Sequence, residues 1–125
     1  MIGKLREHWN YLTSNPISKY YISLDGSKLI KSWRGGSLSI DAAEIGSIVA
    51  HKLNKATYDE LFLTFRNDNK VIQIGQLDHF LSASGKFRDV ATWMHKWFPS
   101  IEANWEEQLN HNDDSASIQL LLRER

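Results

Sequence analysis

The chain has 125 residues, with 15 Lys and Arg against 15 Asp and Glu, 42% hydrophobic residues and no cysteine. That size and composition fit one folded domain over 1–125 and leave out disulfides and cysteine-ligated zinc. A net charge of zero lacks the excess of a uniformly basic nucleic-acid binder, and no apolar run approaches the ~20 residues of a membrane span.

Residues 1–15 carry Ile2, Leu5, Trp9 and Leu12 near helical spacing, which predicts an N-terminal helix ending before Asn15-Pro16. Met1 to His8 has neither the long apolar run nor the cleavage site of a signal peptide, so the expected location is cytoplasmic. Residues 18–76 read as antiparallel strands. Tyr20–Leu24 leads into Asp25-Gly26, a dipeptide suited to a tight hairpin, and Lys28–Trp33 returns. Arg34-Gly35-Gly36 marks a second turn before Ser37–Ile40. Residues 42–53 fit helix or strand; the flanking strands favour strand over 46–53. Tyr58–Arg66 and Val71–Ile74 form a hairpin around Asn67-Asp68-Asn69-Lys70, whose Asn and Asp tolerate left-handed backbone.

The period then changes. Residues 84–110 predict two helices. Phe87, Val90, Ala91, Met94, Trp97 and Phe98 line one helical face, and Pro99 stops that helix. Trp97 belongs to this core stripe, whereas Trp93 lies off it and is expected to be partly exposed. Ser100 can cap a second helix carrying Ile101, Trp105 and Leu109. Residues 111–125 form a polar loop and then Ile118–Leu122, a last strand or a frayed helix. The expected class is α+β: an antiparallel sheet or partly open barrel of about six to seven strands, with an N-terminal helix and a C-terminal amphipathic helix.

No catalytic or metal constellation emerges, so the chain is expected not to be an enzyme and to need no cofactor. The five histidines include no HExxH pair, no serine sits in a G-x-S-x-G elbow, and Gly35-Gly36 is not a phosphate-binding loop. His51 and Asp78-His79 remain the places where a small enzyme's pocket would be sought. Charge is more telling. Residues 1–55 hold eight Lys and Arg against four Asp and Glu, and residues 56–125 hold seven against eleven. Between Phe98 and Asp114 lie Glu102, Glu106, Glu107, Asp113 and Asp114 with no Lys or Arg. Such a segment is either a solvated helix face or a docking surface for a basic partner, with Trp93 as an anchor. The second candidate is Lys28, Lys31 and Arg34 around Trp33, a cationic hairpin that could meet an anion or a lipid headgroup.

The run Tyr58-Asp59-Glu60-Leu61-Phe62-Leu63-Thr64-Phe65, the strand Val71-Ile72-Gln73-Ile74, the helix Phe87–Phe98 and the break Pro99-Ser100-Ile101 resemble small bacterial pleckstrin-homology-like (PH-like) proteins. These serve as immunity proteins in toxin–immunity systems, including contact-dependent growth inhibition. The likeness spans roughly residues 18–110. It implies a cytoplasmic monomer that binds one cognate toxin domain, a basic protein such as a nuclease, in a 1:1 complex and covers its active site. It implies neither direct nucleic-acid binding nor stable membrane insertion. Family members share no binding residues, so none transfers. The alternative implied by a PH-like fold is a lipid- or peptide-binding module using the first hairpin. There the closely spaced Lys/Arg-x-Arg ending is missing, because Ser32 precedes Trp33-Arg34.

Overall fold

Gly26 and Gly35 shape the first sheet. Both adopt positive φ, 58° and 97°, a backbone region open to glycine and strained for other residues. Gly26 turns β1 (Tyr20–Asp25) into β2 (Lys28–Trp33), and Gly35 turns β2 into β3 (Gly36–Asp41). The result is an antiparallel sheet in the order β1-β2-β3. The computed structural model describes residues 20–54, 59–76 and 87–123; the helix expected over 1–15 lies outside them, as does Asp78-His79.

A single turn of 3-10 helix, Ala42–Glu44, follows β3. Asp41 and Glu44 cap it reciprocally: the Asp41 carboxylate accepts from the Ala43 amide at 2.9 Å, and Glu44 accepts from the Asp41 amide at 3.1 Å. The chain then enters a second antiparallel sheet. Strands β4 (Ser47–Asn54), β5 (Asp59–Arg66), β6 (Val71–Gly75) and β7 (Ala116–Leu122) stand in the order β6-β5-β4-β7. Residues 47–54 are therefore strand, as the neighbouring hairpins suggest, and the apolar segment near the C-terminus is a strand at one end of this sheet. At the β5–β6 turn, all described non-glycine residues keep negative φ. Asn67 works through its side chain instead, accepting the Asn69 and Lys70 amides at 2.8 Å each.

Among the described residues the seven strands thus form two antiparallel sheets, of three and four strands, and neither closes into a barrel. The helix α1 (Phe87–Trp97) packs Phe87, Val90, Ala91, Trp93 and Met94 into the core. The second helix is shorter than its apolar spacing suggested. Ser100–Asn104 forms turns, and α2 covers Trp105–Asn110 with Asn104 at its N-cap. Ile101, Trp105 and Leu109 are still buried, so the apolar spacing marks the core side of a turn-and-helix segment. The core gathers Ile22, Leu29 and Ile40 from the first sheet and Ile48, Leu63, Phe65 and Ile72 from the second. Trp93 joins the layers: its ring meets Phe65 edge-on at 6.0 Å, and its indole N–H donates to the Gly26 carbonyl at 2.9 Å.

Candidate protein-docking site

The acidic segment is exposed and firmly held. Glu102, Glu107, Asp113 and Asp114 all face solvent. The loop after α2 is tied to the end of β4 by three hydrogen bonds. The Lys52 ammonium donates to the Asn112 carbonyl, Asn54 Nδ2 donates to the Asp113 carbonyl at 2.8 Å, and the Asn54 amide donates to Ser115 Oγ at 2.9 Å. Lys52 is buried, with its ammonium 3.9 Å from the Asp59 carboxylate. Its position follows from β4's alternation, since Ile48, Ala50 and Lys52 share the core face. At the start of the segment, Gln108 Nε2 donates to Glu102 Oε2 at 3.1 Å and to Asn104 Oδ1 at 2.8 Å. These bonds limit the backbone freedom the segment would lose on meeting a partner.

Glu106 differs from its neighbours. Arg88 of α1 holds it with two guanidinium nitrogens, at 2.6 and 3.0 Å. The pair raises the Arg88 pKa, chiefly through the hydrogen bond to Glu106. One of the five sequence-predicted acids is therefore neutralised within the fold, and four remain to face a partner. Local sequence pattern does not single out Arg88, because the pair joins residues 18 apart on different helices.

The two tryptophans exchange their expected places. Trp93 is 5% exposed and Trp97 is 40% exposed. An off-stripe position on α1 is buried because the β1–β2 turn reaches over it; Trp97 lies beyond that cover, with the Lys96 ammonium 5.7 Å from its ring centroid. Trp93 offers a partner no surface, so Trp97 is the aromatic side chain of α1 that can be reached.

The cationic hairpin is dispersed. Lys31 is 1% exposed. Its ammonium donates to the Gln73 carbonyl at 2.8 Å and sits 3.9 Å from the centroid of the Tyr20 ring. Burial pushes its pKa down to about 7. Lys28 is exposed but stands in register with Asp25 on β1 and Asp41 on β3. The Asp41 carboxyl is held below its ordinary pKa, first by the Ala43 amide, then by Ser27, with Lys28 contributing. Arg34, exposed at the second turn, completes the set. The candidate three-cation patch does not assemble, since Lys31 is internal and Lys28 stands between two acids.

His51 is half-buried on β4, and burial lowers its pKa. Among the described residues no group of three His, Cys, Asp or Glu side chains could hold a metal ion. No helix of the described residues is long and apolar enough to cross a membrane. Comparison with protein-family models, with curated proteins and with solved structures finds no match.

Proposed function

We propose that this chain is a bacterial immunity protein that binds a cognate toxin, a nuclease, and occludes its active site. The observation that carries the reading is the braced acidic segment, with Glu102, Glu107, Asp113 and Asp114 turned outward while Lys52 and Asn54 hold its loop. A nuclease cleft is built to receive phosphates and is therefore basic, so four exposed carboxylates on a held backbone complement it. The mechanism is steric and electrostatic cover. It needs no cofactor and no chemical step from this protein, which acts in the cytoplasm as a monomer in a 1:1 complex. Two antiparallel sheets with α1 packed on their shared core support reading the fold as PH-like.

The alternative, a PH-like module binding lipid or peptide through Lys28, Lys31 and Arg34, loses support from the burial of Lys31. The deciding experiment expresses the C-terminal domain encoded by the gene immediately upstream, with and without this chain, and scores growth. Growth arrest relieved by this chain is the expected result. A domain without toxicity, or toxicity this chain does not relieve, overturns the reading.

A further inference from the structure

Strand β7 ends the second sheet. It pairs with β4 on one side, and in the order β6-β5-β4-β7 no strand of the described residues pairs with its other side. The side chains of β7 are half-exposed or exposed throughout. Open edges of this kind are templates for pairing with a further strand. Beside this one runs a groove of about 290 Å³ between the start of α2 and the middle of β7. Its lining is mostly polar, from Ser100, Glu102, Gln108 and Gln119, with Ile118, Leu120 and the largely buried Trp105 as its apolar part. A sheet edge next to a partly apolar groove is the arrangement that takes an extended peptide, the main chain pairing and alternate side chains entering the groove.

Charge selects the occupant. Glu102 lines the groove, and Asp113 and Asp114 stand exposed just before β7 begins. At the other end of β7, Arg123 turns back into its own chain. Its guanidinium donates to the carbonyls of Ala42 and Ile45 and lies 5.2 Å from the Phe98 ring centroid. A second copy pairing antiparallel would bring its own acids to an arginine already engaged, and its own Glu102 to an acidic rim. A basic segment meets carboxylates instead.

We infer that the outer edge of β7 and the groove beside it bind an extended segment of a partner protein, rich in Lys or Arg at alternate positions, as a fifth strand. This rests on the acidic-segment reading above for the charge of the occupant; the strand pairing rests on the topology.

The test uses the full chain and an eight-residue peptide of alternating Lys and Val, with a Glu and Val peptide as control. The Lys peptide is expected to bind and to slow hydrogen exchange at β7 amides, while the Glu peptide does not bind. Gln119→Lys, at an exposed position, is expected to weaken binding about tenfold. Charge-dependent binding with protection confined to 102–114 overturns the fifth strand and leaves the acidic segment standing. Equal binding of both peptides overturns the charge assignment. No binding of either, or dimerisation of the free chain through β7, overturns the inference.

Discussion

Arg88 and Glu106 form a two-pronged ion pair that fastens α1 to α2, with nitrogen–oxygen distances of 2.6 and 3.0 Å. The pair also decides how much of the acidic segment is available outside the molecule. Arg88 is 65% exposed, so solvent and salt screen the attraction, and the pair adds little to stability. Arg88→Ala is therefore expected to cost under about 1 kcal/mol in urea unfolding. It releases Glu106, adding a fifth free carboxylate, so association with a basic toxin is expected to quicken about threefold at low salt. Stopped-flow mixing at two ionic strengths reads this directly; slower association at low salt would oppose it.

Trp93 is packed and Trp97 is partly in solvent, so their substitutions are expected to differ in cost. Trp93→Phe removes the indole donor to the Gly26 carbonyl and leaves a smaller ring against Phe65. The expected cost is about 1–3 kcal/mol of stability with toxin affinity unchanged. Trp97→Ala is expected to change stability by less than about 1 kcal/mol, because the ring is already partly in water. Chemical denaturation of both variants, paired with affinity measurements, checks the assignment.

Lys31 gives the fold a pH dependence of predictable sign. Burial lowers its folded pKa to about 7, from 10.5 as the ordinary value. Between those values the unfolded chain holds a proton that the folded chain has released, so this group's contribution to stability rises with pH. Its full burden falls below about pH 7. Lys31→Met is thus expected to stabilise the protein most near pH 6. That advantage should shrink by roughly 3 kcal/mol by pH 9. Loss of the donor to the Gln73 carbonyl offsets part of the gain at every pH. Urea unfolding of both proteins at the two pH values supplies the comparison; an advantage that grows with pH contradicts it.

Asn54 connects the core sheet to the acidic loop. Asn54→Ala removes the bond to the Asp113 carbonyl while leaving the amide that donates to Ser115. Hydrogen exchange is expected to quicken around 112–115, with global stability within about 1 kcal/mol of the parent. Toxin affinity is expected to fall several-fold, because the loop must then be ordered on binding. Unchanged exchange at those amides would show that the bond does not brace the loop.

These relationships show where local pattern stops. The hairpins could be read because their turn chemistry is local: Gly26 and Gly35 sit where positive φ is required. The burial of Lys31 also follows from strand alternation, which puts it on the face of Leu29, although a cationic side chain ordinarily faces solvent. Trp93 escaped the helical stripe because its cover comes from Gly26, 67 residues away in sequence. The same holds for Lys52 with Asn112 and Arg88 with Glu106. The acidic segment was legible as composition, but its bracing was not, since the bonds that hold it come from β4. Apolar spacing overstates the length of the second helix because Ile101 keeps that spacing while its backbone forms a turn.

The central claim is that Glu102, Glu107, Asp113 and Asp114 dock a basic toxin, and the most direct measurement is the dissociation constant of the 1:1 complex. The protein to compare with the parent carries Glu102→Lys, Glu107→Lys, Asp113→Lys and Asp114→Lys together, with circular dichroism confirming its fold. All four side chains are exposed, so the fold is expected to survive. Affinity is expected to drop at least about a hundredfold at low salt, and its salt dependence to flatten or reverse. A folded variant that binds the toxin as tightly as the parent, with the same salt dependence, would contradict the account.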